Sequence, residues 1–282
     1  MSAPASGRGA RVVARGVSFA WGRGRSRAAV EGVDLTLEPG TLTALVGPNG
    51  SGKSTLLRLL GGLMRPQAGQ VRLELPRGDR DGAQDGALDP AATADRTRLA
   101  RQLGFLPARP EVAADYTALE AVLLGRHPFG RGLLLERPED LAAAEAALER
   151  AGAGAFRDRP CEELSSGERQ RVLLARVLCQ GAGTVLLDEP TSAQDPAHAL
   201  DLFGLFAALA SEGRTVIVAT HDLNLAARFA QRLVALKAGR VERQGPPAEV
   251  LDPALLRLVF AVEAVVGQDG GAPFAVPRER AR

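Results

Sequence analysis

The run Gly47-Pro48-Asn49-Gly50-Ser51-Gly52-Lys53-Ser54-Thr55 puts three glycines, a lysine and three hydroxyls into one short stretch. Gly47, Gly50 and Gly52 let successive backbone N–H groups approach phosphate oxygens with no Cβ in the way. Lys53 can reach the β- and γ-phosphates of a nucleotide, and the Ser54 hydroxyl can ligate Mg²⁺. This chemistry needs a strand before the loop and a helix after it. Leu42-Thr43-Ala44-Leu45-Val46 has the apolar character of the strand, and Thr55-Leu56-Leu57-Arg58-Leu59-Leu60 has that of the helix. The helix adds the positive end of its dipole. These residues imply that the chain binds a nucleoside triphosphate.

A second group has the complementary chemistry. Thr184-Val185-Leu186-Leu187-Asp188-Glu189 is an apolar strand ending in two acids. Asp188 is suited to helping hold Mg²⁺, and Glu189 to polarising a water for in-line attack on the γ-phosphate. Upstream, Leu164-Ser165-Ser166-Gly167-Glu168 leads into Arg169–Arg176. It reads as a helix N-terminus capped by Ser165, with free N–H groups available to a phosphate.

The elements that must position these groups follow from the surrounding pattern. Strands are expected over 12–19 and 33–37, with an arginine-rich turn at 22–27 between them, and over 69–75, 184–187 and 215–219. A short hairpin is expected around Ala238-Gly239. From Pro107 to Cys161 β-branched runs are absent and stretches such as Leu141–Ala151 are helical in character. A parallel-strand core interrupted by a helical insert fits this order. Residues 76–94 are rich in Gly, Asp, Ala and Pro and lack periodicity, which predicts a surface loop. The tail after Gly267 also reads as patternless, and no internal repeat is visible, so one nucleotide-binding unit is expected.

Composition narrows the classes. The chain has 282 residues, 45% hydrophobic, and a net charge of +2, enough for one large domain or a core with a subdomain. The charge is too small to argue for nucleic acid, and none is expected as a partner, although Arg8, Arg11, Arg15, Arg23, Arg25 and Arg27 make a basic N-terminal stretch. No apolar run approaches the ~20 residues of a membrane-spanning helix, and the N-terminus lacks the apolar segment of a signal peptide. Cys161 and Cys179 have no metal-ligand spacing, and two free thiols are expected.

Taken in order, these motifs resemble those of ATP-binding cassette proteins, over roughly residues 11–262. Leu164–Glu168 is similar to the family's signature motif. Ser192-Ala193-Gln194-Asp195 resembles its D-loop, with Gln194 where leucine is usual, and His221 matches its switch histidine. Trp21 stands where the family places an aromatic that stacks on adenine. The resemblance implies an α/β fold: a P-loop NTPase core with a mainly parallel sheet, an N-terminal antiparallel β subdomain and a helical subdomain insert. It implies a flexible stretch 1–10, a single ATPase domain 11–262 with the helical subdomain at about 108–164 and a loop extension at about 76–97, and a tail 263–282. It also implies an ATPase in which Glu189 and His221 are catalytic. ATP would be bound by residues 47–55 with Trp21, and Mg²⁺ by Ser54 and Asp188. Ser165, Ser166, Gly167 and Glu168 would face the nucleotide of a second copy, and the D-loop residues Ser192 and Asp195 would cross the interface of that homodimer.

The family carries a glutamine where this chain reads Ala108, in Leu103-Gly104-Phe105-Leu106-Pro107-Ala108. Alanine has no donor or acceptor, so slower hydrolysis or looser coupling is expected. Leu123-Leu124-Gly125-Arg126-His127-Pro128, His221–Arg228 and Gly245–Leu251 followed by Leu255–Val262 resemble importer cassettes for ferric siderophores, haem and cobalamin. That likeness implies two transmembrane permease subunits, an extracytoplasmic substrate-binding protein acting indirectly, and a peripheral place on the cytoplasmic face of the cell membrane. A cassette for another solute such as a metal ion, a nucleotide-sensing protein and a soluble cassette acting on DNA or ribosomes are the competing readings.

Overall fold

The computed structural model describes residues 9–22, 28–76, 87–94, 96–109, 115–130 and 137–281. Arg8, Arg23, Arg25 and Arg27, residues 1–8 of the expected flexible stretch 1–10 and half of the expected loop at 76–97 lie outside them.

The strands β3 (Leu42–Val46), β7 (Thr184–Asp188) and β8 (Thr215–Thr220) are buried along their whole length. Near-continuous apolar runs of this kind are what parallel strands covered on both faces require. They join β6 (Leu103–Leu106), β9 (Arg232–Lys237) and β10 (Arg240–Gly245) in a six-stranded sheet of order β10-β9-β3-β8-β7-β6. All neighbours in it run parallel except β10 against β9. Alternate residues of each strand enter different layers. Ala44, Leu187 and Val218 join one core with α5 (Ser166–Gln180), α6 (Pro196–Ser211) and α7 (Leu223–Phe229). Leu45, Leu186 and Ile217 join another with α1 (Lys53–Leu60) and the second sheet.

That second sheet is antiparallel, with order β2-β1-β4-β5, built from β1 (Arg11–Ala20), β2 (Ala28–Leu37), β4 (Ala68–Glu74) and β5 (Ala87–Leu88). The pairing of Leu88 with Leu73 corrects the reading of 76–94 as loop alone; with two paired residues, β5 is too short to leave a periodic signal. After β4, α2 (Arg96–Gln102) feeds β6. Between β6 and α5 the described residues form α3 (Ala118–Leu123), α4 (Pro138–Arg150) and three short 3₁₀ turns. Thr117 and Glu120 make a capping box at the start of α3, the S/T-x-x-E arrangement that satisfies two orphan N–H groups reciprocally.

The short helices α8 (Pro247–Val250) and α9 (Pro253–Leu255) lead to β11 (Val262–Asp269) and β12 (Ala272–Arg280), an antiparallel hairpin. The tail was expected to lack pattern, and this is a correction. Gly270 and Gly271, at φ of 56° and 85°, supply the left-handed two-residue turn that hairpins favour. Pro273, Pro277 and the charged residues near the end break the alternation that would have revealed the strands. The hairpin is tied back to α7 by the Asn224 amide, whose oxygen accepts from the Ala275 N–H at 2.8 Å.

Candidate nucleotide-binding site

The site lies at the carboxyl ends of β3, β7 and β8, the place where open α/β sheets bind ligands. The chain leaves β3 at Val46, turns through residues 47–52 and enters α1 at Lys53. Gly52 is left-handed at φ 104°, and a Cβ there would lie 2.2 Å from the Ala29 carbonyl oxygen. Only glycine fits, because β2 presses against the loop from behind. Leu56, Leu57, Leu59 and Leu60 are fully buried and anchor α1. Its first N–H groups, at Lys53, Ser54 and Thr55, open toward the loop.

Lys53 is buried, and its Nζ donates to the Gly47 carbonyl at 2.8 Å. It lies 3.8 Å from Glu189 Oε1. Burial holds the Lys53 ammonium below its ordinary pKa, and the charges of Glu189 and Asp188 partly oppose that. The Ser54 hydroxyl donates to Asp188 Oδ1 at 2.8 Å. Asp188 is fully buried, which raises its pKa; the Ser54 hydrogen bond and the charge of Arg58 pull the other way. Asp188 Oδ2 is buried with no hydrogen-bond partner. A hydroxyl beside a carboxylate whose second oxygen lacks a protein donor fits Mg²⁺, a hard cation that takes few protein ligands and completes its shell with phosphates and water. No cluster of three or more His, Cys, Asp or Glu side chains that could hold a metal occurs among the described residues.

Glu189 follows Asp188 in a left-handed conformation, φ 49°. Such a backbone is uncommon for a residue other than glycine and gathers at functional sites. The carboxylate points between Lys53 and His221, whose Nδ1 lies 2.7 Å from Glu189 Oε2. His221 is 63% exposed and Glu189 17%, so the pair stands at the mouth of the site. Asp222, the next residue, caps α7 by accepting from the Leu225 N–H at 2.9 Å, which sets where His221 leaves β8.

The other expected residues are distributed around this centre. Ser165 and Glu168 form a capping box on α5: Ser165 Oγ accepts from the Glu168 N–H, and Glu168 accepts from the Ser165 N–H at 2.8 Å. Ser165 and Ser166 are exposed and Gly167 half-buried, so this helix start faces outward. Ser192 is exposed, and Asp195 caps α6 through the His198 N–H. Trp21 is 53% exposed and stands edge-on to Phe19, ring centres 5.2 Å apart. It follows Ala20, which pairs with Ala28 beside the strand end that abuts Gly52. Ala108 lies two residues beyond Leu106, the last residue of β6, which pairs with Leu187 one residue before Asp188 on the neighbouring strand. Cys161 and Cys179 are free and buried, and burial pushes the Cys179 thiol up to about 11.

Two contacts were not foreseen. Gln170 is buried on α5, and its amide donates to the Glu189 carbonyl at 3.0 Å. The Gln194 amide donates to the Gly167 carbonyl at 2.9 Å. A polar residue on the buried face of an amphipathic helix was the available signal for Gln170. For Gln194 it was the departure from leucine, noted without a role.

The profile of the family described as ABC transporter matches residues 30–192. The hemin import ATP-binding protein HmuV of Rhodopseudomonas palustris (strain HaA2) is 42% identical over 257 residues, covering 88% of this chain and 91% of that protein. The iron(3+)-hydroxamate import ATP-binding protein FhuC of Bacillus subtilis (strain 168) is 38% identical, covering 86% of each. Among solved structures, the dimeric post-hydrolysis state of the ATP-binding cassette MJ0796 bound to ADP and Pi superimposes with a TM-score of 0.72 at 30% identity, over 83% of this chain and 98% of that one. An inward-facing putative metal-chelate type ABC transporter gives 0.76 at 26% identity, over 95% and 97%. With the phosphate loop, the paired acids and the capped helix start all in the cassette's order, the chain belongs to the ABC transporter family as an ATP-binding cassette, an ATPase.

Proposed function

We propose that this chain is the ATP-hydrolysing subunit of an importer for an iron complex, working as a pair of copies beneath two membrane permease subunits. The observation that carries the chemistry is the convergence of Lys53, Ser54, Asp188, Glu189 and His221 at the ends of three adjacent strands. Residues 47–55 would cradle the phosphates, with Lys53 exchanging its carbonyl contacts for phosphate oxygens. Ser54 and Asp188 would hold Mg²⁺, which when bound neutralises charge on the β- and γ-phosphates. Glu189 would accept the proton of the attacking water, oriented by His221. The outward-facing start of α5 would meet the γ-phosphate held by the second copy, with Ser192 and Asp195 near the shared interface, and Trp21 would lie against the adenine.

The cargo reading rests on the names of the relatives, which import hemin and iron(3+)-hydroxamate. Haem and ferric siderophores are therefore favoured over cobalamin or a free metal ion. Permease partners are supported by the relatives' being import ATP-binding proteins, and an external binding protein is proposed with them; among the described residues no helix is long and apolar enough to cross a membrane. Ala108 favours one second reading, a nucleotide-sensing protein with little turnover.

Mg²⁺-ATP hydrolysis measured against protein concentration tests the first half. Turnover rising faster than linearly supports a working dimer, and none, alone or with permeases, leaves the sensor. Uptake of haemin, a ferric hydroxamate and cobalamin by cells carrying the chain with its permeases tests the second; cobalamin alone would overturn the iron reading.

A further inference from the structure

The loop behind Glu189 and the start of α5 are joined by two amides running in opposite directions. Gln170, on the helix, donates to the Glu189 carbonyl at 3.0 Å. Gln194, on the loop, donates to the Gly167 carbonyl at 2.9 Å. The loop between them is a tight turn, with the Ser192 N–H on the Glu189 carbonyl and the Gln194 N–H on the Thr191 carbonyl. Through residues 192–197 the side of the loop facing solvent is otherwise open, and Gln194 alone is half-buried. The two backbones touch here as well: a Cβ on Gly167 would lie 2.8 Å from the Ala193 carbonyl oxygen. Glu189, Gln194, Gly167 and Gln170 thus form a closed ring of backbone and amides.

We propose that Gln194 is a positioning residue that locks the loop following the catalytic acid to the outward-facing start of α5 within one subunit. A leucine at 194 could fill the space but could not donate, so it would leave only the Gln170 link. With both links, displacement of Glu189 by nucleotide in its own site is passed to Ser165–Gly167, the surface read above as meeting the second nucleotide. The side chain touches neither nucleotide and acts through Gly167. The inference rests on the dimeric ATPase reading of the previous subsection.

The test compares wild type with Gln194→Leu, Gln194→Glu and Gln194→His, measuring kcat, KM and the Hill coefficient for ATP, with fluorescent-ATP affinity of dilute protein and melting temperature as controls. Gln194→Leu should lower kcat about three- to tenfold, the scale of one neutral hydrogen bond, and bring the Hill coefficient toward one. Affinity should stay unchanged, and melting temperature should fall by no more than the few degrees that one hydrogen bond is worth. Gln194→Glu, which sets a carboxylate against a carbonyl, should lose more, and Gln194→His, which can donate, should recover part of the loss. Unchanged kcat and cooperativity in Gln194→Leu would overturn the proposal. So would a kcat loss matched by lost affinity or by a drop in melting temperature well beyond that of one hydrogen bond, which is what a merely structural role predicts. Wild-type turnover that is absent or strictly linear in protein would remove the dimeric reading instead, and the lock with it.

Discussion

β6 and β7 are parallel neighbours that end at the same edge of the sheet, yet their ends are furnished very differently. At the end of β7, Asp188 meets Ser54, and the next residue, Glu189, meets Lys53, His221 and, through its carbonyl, Gln170. Beyond β6, whose last paired residue is Leu106, the chain runs on through Pro107 to Ala108, whose side chain brings no donor or acceptor. The register sets the two strand ends side by side, Leu106 against Leu187. The difference teaches that the fold supplies location, whereas side-chain chemistry at each strand end decides whether that location contributes to the reaction.

The largest expected effect tests the furnished end. Glu189→Gln keeps the size of the side chain and removes the proposed base, so turnover should fall by about 10²- to 10⁴-fold while ATP binding persists. Steady-state hydrolysis with a parallel nucleotide-binding titration checks it, and retained turnover would place the base elsewhere. Next comes the bare end. Ala108→Gln places a polar group just beyond the end of β6 and should raise turnover by about two- to tenfold, the scale of one added hydrogen bond. If turnover and its Mg²⁺ dependence stay the same, the two strand ends are less different in function than in structure.

The smallest effect concerns the helix behind β7. The backbone N–H of Ser165 holds the Glu168 carboxylate below its ordinary 4.5. A carboxylate lowered in the folded state contributes stability that is fully present above that ordinary value and is lost as pH falls through the lowered one. Wild type should therefore exceed Glu168→Ala in denaturant stability at neutral pH, with the gap closing as the solution is taken below about pH 4. A gap that is constant with pH would mean that Glu168 acts by packing alone.

Much of the site could be read locally. The phosphate loop, the apolar strand ahead of it and the capping pattern Ser165–Glu168 each lie within a few consecutive residues, and hydrogen bonding over one turn of backbone fixes their geometry. The hairpin at 262–280 could have been read too, from Gly270-Gly271, but prolines and charges blurred its alternation. The parallel order of strands was foreseen only as a class, since periodicity says that a strand is buried without saying beside which neighbour.

Residue types and their order thus determined the nucleotide chemistry of this protein: a loop that can wrap phosphates, acids at a strand end, a helix start that can face an anion. Tertiary structure alone decided which of these meet. Ser54 and Asp188 are 134 residues apart and His221 and Glu189 are 32 apart, and they touch because β3, β7 and β8 stack in one parallel register. The Gln170 and Gln194 links depend on α5 packing against the turn after β7. Such contacts follow from the burial of whole faces, where many apolar side chains act together, and no short stretch of sequence contains that information.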